Sequence, residues 1–248
     1  MSPALFVSAH PDDETLAMGV AIAEHVAAGQ DIHLLWLTRG EGSSVRGKLN
    51  ATSPTPSSWW GIMHDPVGEG YTALDEAAFG AARIAEGTTA VTCLSAGLPG
   101  TLTIHEACLP NDGSMTAGDA QAAIVAVADA IAPGAGVRLK THTWRPQLDA
   151  HADHIAAGVA CKQLAVDDPA RFSDVRYYLL PPYWTDPDLT LVSEVWDLPS
   201  NADISARAIN AARAYGAWAP PNRYAIGHHS TYAYFAQVLA GPKCLFHP

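Results

Sequence analysis

Through its first 180 residues the chain alternates short apolar runs with longer stretches whose apolar residues recur every three or four positions. The run Ala4–Ala9 precedes helical periodicity over Glu14–Ala28, which stops at Gly29. "DIHLLWLT", residues 31–38, is β-rich and closes on "RGEG". The pattern then predicts a helix over Leu74–Glu86, a strand at "TTAVTCLSA" (88–96) and a helix over Ala117–Ile131. A strand at "VRLKTHT" (137–143), a helix over His151–Ala165 and a strand at "DVRYYLL" (174–180) complete it. Continuous apolar strands separated by helices belong to a parallel sheet covered on both faces. The expected fold class is α/β, a three-layer sandwich around a mostly parallel sheet.

Two segments break the alternation. Residues 51–72, "ATSPTPSSWWGIMHDPVGEGYT", are rich in Pro, Ser and Gly yet carry Trp59, Trp60 and Tyr71. A loop of this length inside a compact domain is functional or disordered, and its aromatics favour an ordered segment covering a substrate. They point to a bulky or hydrophobic acceptor, such as a glycosylated natural product. From residue 181 onward the pattern is irregular, with "YAIGHHSTYAYFAQ" near the end. The expectation is one domain over 1–248, with 51–72 an aromatic insert and 181–248 a substrate-shaping C-terminal part. His228 and His229 are read as a loop before a helix beginning at Ser230.

Composition adds limits. A formal net charge of −11 argues against a nucleic-acid backbone or an anionic membrane as partner, since both select clustered Lys and Arg. Cys93, Cys108, Cys161 and Cys244 are scattered without metal-type spacing and are expected to be reduced. With no basic leader and no long apolar run, the chain is expected to be soluble and cytoplasmic.

The chemistry lies in two short stretches. "AHPDDE", residues 9–14, follows the first strand where a helix begins, and "DAHADH", residues 149–154, repeats that placement after a later strand. Each alone reads as an acidic helix start, with Asp12 or Asp13 capping the first helix and Asp149 the other. Together, at the carboxyl ends of neighbouring parallel strands, they would meet at the edge where ligands gather. His151 and His154, three apart, share a helical face. A catalytic zinc takes three protein ligands and keeps one position open. His10, Asp13 and His154 supply the ligands, Asp12 a general base, His151 a polarising group or acid, and Asp153 a carboxylate to orient a histidine. Arg39, Glu41 and Arg46 either meet sugar hydroxyls or sit in a solvated loop. His64 and His105 are read as bystanders.

"AHPDDE" together with "HADH" (151–154) resembles the PIG-L superfamily, also called LmbE-like deacetylases, over the first two-thirds of the chain. "LTRGEGS" is similar to the family's Gly-Glu loop, and "LPNDGSMT" (109–116) to the segment before its later helix. The resemblance implies a Rossmann-like sandwich and one Zn2+, with Fe2+ as an alternative. It implies His10, Asp13 and His154 as ligands, Asp12 as general base, and His151 with Asp153 as the pair acting at the transition state. It further implies removal of an N-acyl group, acetyl foremost, from an amino sugar or its conjugate. A metal-dependent phosphoesterase and a non-catalytic binding protein are the competing readings. The first wants two metals and more basic residues; the second would have lost Asp12 or a ligand.

Overall fold

The computed structural model describes residues 2–110 and 113–248. In chain order the strands are β1 (Ala4–Ser8), β2 (Asp31–Trp36), β3 (Thr101–Glu106), β4 (Val137–His142), β5 (Phe172–Leu179), β6 (Val195–Asp197), β7 (Trp218–Ala219), β8 (Arg223–Tyr224) and β9 (Cys244–His247). The α-helices are α1 (Asp13–Ala27), α2 (Val45–Leu49), α3 (Glu76–Ser95), α4 (Ala117–Ile131), α5 (Ala152–Asp167), α6 (Ala202–Ala214) and α7 (Ile226–Ala240).

Seven strands form one sheet in the order β3-β2-β1-β4-β5-β9-β6. The pairs from β3 to β5 are parallel, with Phe6 opposite Leu34 and Lys140; β9 runs antiparallel to both β5 and β6. Alternate residues of β1 feed opposite faces, as strand pleating requires. Ala4 and Phe6 join Leu34 and Trp36 in a cluster with Ile22 of α1, Leu94 of α3 and Ala211 of α6. Leu5 and Val7 join Leu35 and Leu139 in a second cluster with Ile124 of α4 and Ala157 of α5. Both faces of β1 are therefore covered, and it is apolar up to Ser8 for that reason. From β1 the order runs to β2 and β3 on one side and to β4 and β5 on the other. The crevice between the carboxyl ends of β1 and β4 is thus the switch point of a doubly wound sheet, where such folds bind ligands.

One expected strand is helical. "TTAVTCLSA" continues α3 to Ser95, and the third strand begins only at Thr101. The buried positions Phe79, Arg83, Glu86, Ala90 and Leu94 recur every three or four residues, a helical period. The hydroxyls of Thr89, Thr92 and Ser95 bond carbonyls four residues back. That satisfies them within the helix and overrides the β-preference of Thr and Val.

The segment 51–72 is built of turns, held by Tyr71, which is buried beside Leu49, Phe79 and Tyr224 and donates to the Leu49 carbonyl at 2.6 Å. All four cysteines are free, two of them buried. Among the described residues no helix is long and apolar enough to cross a membrane.

Candidate metal centre

The backbone at the switch point is strained by design of its surroundings. Asp12 has φ 119°, a region a residue with a side chain rarely adopts. Three contacts hold it there. Its N–H donates to Glu14 at 3.0 Å, and Arg83 of α3 donates to the Pro11 carbonyl at 2.7 Å and to the Asp12 carboxylate at 3.0 Å. Glu14 is itself buried and receives Trp36 Nε1 and the Tyr215 hydroxyl. Asp12 occupies the N-cap position of α1 but makes no capping bond, so its carboxylate is free for Arg83 and the cavity. This conformation turns Asp12 and Asp13 in different directions.

Asp13 lies 3.1 Å from His10 Nδ1, 3.2 Å from His154 Nε2 and 3.7 Å from His142 Nε2. His10 Nε2 lies 3.2 Å from Asp153, which also accepts the Gly113 N–H at 3.0 Å. His154 Nδ1 meets Asp149 at 2.8 Å. Each imidazole thus has one nitrogen engaged by a carboxylate behind it, leaving the other turned toward Asp13. His154 Nε2 is buried with no hydrogen-bond partner, an orphan that a cation would satisfy. Ligand atoms of His10, His151 and His154, and of Asp13, His142 and His154, lie close enough to share an ion. His142 is the less suited member: its Nε2 accepts the Ala9 N–H at 3.2 Å, and its ring stacks on His154 at 4.2 Å.

The electrostatics follow from this packing. Burial works against the charge on Asp13, but the neighbouring His154 charge and the bond from His10 hold its carboxyl well below the usual range. Burial likewise opposes charge on His154, which Asp13 and Asp149 overcome, raising its pKa well above 6.5. Burial pushes Asp12 up to about 7 even with Arg83 beside it. Burial and the neighbouring His154 push His142 down to about 3.

All six residues singled out from the sequence therefore meet at one edge: His10, Asp12, Asp13, His151, Asp153 and His154. His10, Asp12, Asp13, His151 and His154 line a cavity of about 540 Å³. Its outer walls are Gly40, Ser43 and Ser44 after β2, Tyr183, and Ser230, Thr231 and Tyr234 of α7. Asp153 bonds His10 through its side chain and His151 through its backbone N–H at 3.3 Å.

Several expectations change. Asp149 is no cap: His151 occupies the N-cap of α5, and Asp149 is buried against His154. His228 and His229 belong to the first turn of α7, not to a loop, because α7 starts at Ile226. Trp59 and Trp60 do not line the cavity; they pack on His228, His229 and Trp218. Arg39 and Arg46 form ion pairs with Glu106 and Glu76. His105 bonds His33 on the sheet at 3.0 Å, and His64 stacks on Trp60 and Trp218. Of "LPNDGSMT", Asn111 and Asp112 lie outside the described residues. His142, Asp149 and Arg83 were missed. Arg83 had a signal: a charge at a position where the helical period demands an apolar residue.

Known proteins bear on this geometry. The family model PIG-L, described as GlcNAc-PI de-N-acetylase, matches residues 5–165, well over half the chain. The chain is 40% identical over 95 residues to 1D-myo-inositol 2-acetamido-2-deoxy-alpha-D-glucopyranoside deacetylase of Rhodococcus jostii (strain RHA1), a match spanning 38% of this chain and 26% of that relative. The chain thus covers about a quarter of that relative's length. Among solved structures, the A40926 pseudoaglycone deacetylase Dbv21 superposes with a TM-score of 0.64 at 17% identity, covering 99% of this chain and 96% of that one. GalB, the 4-carboxy-2-hydroxymuconate hydratase of Pseudomonas putida KT2440, gives 0.56 at 19% identity, covering 96% and 84%. At these identities the two structures establish the fold alone.

Proposed function

The chain belongs to the PIG-L family, and we propose that it is a metal-dependent hydrolase removing an N-acyl group, acetyl foremost, from an amino sugar or glycoconjugate. One observation carries this reading. A buried set of nitrogen and carboxylate donors, His10, Asp13 and His154, adjoins a second carboxylate, Asp12, whose bond goes to Arg83 instead of to the set. The relative from Rhodococcus jostii, by name a deacetylase of an N-acetylated sugar, supports the same substrate class.

His10, Asp13 and His154 would hold the ion, two imidazoles and one carboxylate suiting zinc, with iron(II) as the alternative. A divalent cation in that cradle supplies Lewis acidity, which activates water and polarises an amide carbonyl. Asp12, facing the cavity beside the set, accepts the proton of the attacking water. His151, on the cavity wall, donates a hydrogen bond to the developing oxyanion, and the proton held by Asp12 passes to the departing amine. Asp153 fixes the ring of His10 and Asp149 that of His154, each carboxylate selecting which nitrogen stays bare.

The test is acetate release from N-acetylglucosamine and its glycosides by the zinc-loaded protein. The expectation is stoichiometric acetate and free amine. Asp12→Ala should lower turnover about 10²- to 10⁴-fold with metal content unchanged. Unchanged turnover would remove Asp12 as the base. Hydration of an unsaturated acid with no acetate from any N-acyl sugar would place the chemistry nearer GalB.

A further inference from the structure

Helix α3 carries two charged residues one turn apart, both buried, neither paired with the other. Arg83 reaches the reaction edge. Its guanidinium donates to the Pro11 carbonyl, to the Asp12 carboxylate and, at 3.1 Å, to the Gly40 carbonyl. Gly40, at φ 63°, packs so closely on this group that a Cβ there would sit 1.9 Å from Nη1. The loop after β2 and the strained Asp12 are therefore both bound to one guanidinium.

Glu86 reaches the other wall. Helix α7 has no capping side chain of its own: its N-cap is Ala225, in the left-handed conformation at φ 50°. The carboxylate of Glu86 takes that place from another helix, accepting the N–H of Tyr224 at 3.0 Å and of Ile226 at 2.9 Å. Burial pushes the Glu86 carboxyl up to about 8 against the pull of these backbone donors, and its oxygens satisfy orphan N–H groups at the helix start. Five residues into α7 the helix breaks at Thr231 (φ −139°, ψ 47°), where Ser230, Thr231 and Tyr234 line the same cavity as the loop after β2.

We propose that Arg83 and Glu86 are a positioning pair: Arg83 holds Asp12 in its strained conformation for proton transfer, and Glu86, by capping α7, holds the wall that receives the sugar. The proposal rests on the deacetylase reading for the task of Asp12 and the nature of the ligand. It makes α3 a strut that keeps the reacting edge and the acceptor wall in register. The two ends of the strut act on different kinetic constants, which a merely structural role would not do.

The experiment compares zinc-loaded wild type with Arg83→Lys and Glu86→Gln, each retaining a donor or acceptor so that folding survives. Measured are kcat and KM for N-acetylglucosamine, the Kd for glucosamine by calorimetry, metal content, and the crystal structure of Arg83→Lys. Arg83→Lys should lower kcat about 100-fold with KM within about twofold, and Asp12 should leave its positive φ. Glu86→Gln should raise KM and the glucosamine Kd about tenfold with kcat within about threefold. Loss of kcat and rise of KM together in both variants overturns the proposal, as does Asp12 keeping its conformation in Arg83→Lys. If wild type releases no acetate, the deacetylase reading falls on its own. The conformation of Asp12 and the glucosamine Kd then still decide the positioning pair, and a wild type that binds no glucosamine overturns both.

Discussion

Two histidine-rich regions lie near one another in this molecule and behave in opposite ways. At the carboxyl edge of the sheet, His10 and His154 each face carboxylates: Asp13 with Asp153, and Asp13 with Asp149. In the aromatic cluster that the 51–72 segment forms with α7, His229 touches Trp59, Trp60, Trp218 and His64, and its Nδ1 bonds the Ser57 hydroxyl at 2.7 Å. Both sets are buried, so desolvation opposes charge in both. At the edge the carboxylates overcome it for His154; among the tryptophans nothing does, and burial with the neighbouring His64, His228 and Lys48 pushes His229 down to about 3. Histidine content therefore does not mark a metal centre. Carboxylates behind the rings do, because they fix the tautomer and offset the cost of concentrating positive charge.

Removing a ligand should break the comparison most sharply. His154→Ala is expected to abolish metal binding at micromolar zinc and to cut turnover by about 10³-fold or more, while tryptophan fluorescence of the aromatic cluster stays unchanged. Stripping the ion from wild type with a chelator should reproduce both results, and added zinc or iron(II) should restore turnover. A fluorescence change equal to that of unfolding would show the two regions to be one unit.

The carboxylate behind the ring sharpens the point. Asp149→Asn keeps the shape and a hydrogen-bond acceptor but loses the charge, and should weaken metal affinity about 10- to 100-fold. Competition titration against a chelating dye reads this directly, and wild-type affinity in the variant would refute the role given to Asp149.

Mutation in the aromatic cluster should do the converse. Trp60→Ala removes a ring that packs on His64, Trp218 and His229 and should destabilise the fold by about 3 kcal/mol in urea, with metal stoichiometry intact. A loss of zinc at unchanged stability would contradict that division.

Acid gives the smallest effect. The folded-state pKa of His229 is depressed below its unfolded value of 6.5, so the unfolded chain binds a proton that the folded chain refuses. Its contribution to stability is present above pH 6.5 and is lost as pH falls toward 3. Between pH 7 and pH 5 wild type should lose about 2 kcal/mol more than His229→Gln, which still reaches Ser57 but does not titrate. Parallel urea midpoints for the two proteins across that range would sink the assignment.

The gathering of these His and Asp residues was readable in advance because each of its halves is local. "AHPDDE" and "HADH" sit where an apolar strand gives way to a helix, and both junctions appear in the hydrophobic pattern. The misread strand at 88–96 has the opposite cause. Thr and Val favour strands locally, but packing of Ala90 and Leu94 against the sheet-facing cluster selected the helix. The C-terminal part resisted reading because its strands are two to four residues long, too short to show a period.

The sequence by itself determined the layered α/β architecture, the two strand-to-helix junctions rich in His and Asp and the residue types at each, since all of these are written in spacing over a dozen residues or fewer. Only the tertiary structure decided which partner each of them takes. It put Asp149 behind His154, Asp153 behind His10, Arg83 against the strained Asp12, and Glu86 at the start of a helix some 140 positions away. It also packed Trp59 and Trp60 on the first turn of α7 and left both out of the cavity lining. The physical reason is that charge and hydrogen-bond pairing act through space at about 3 Å. No periodicity along the chain records which distant groups the fold brings to that distance.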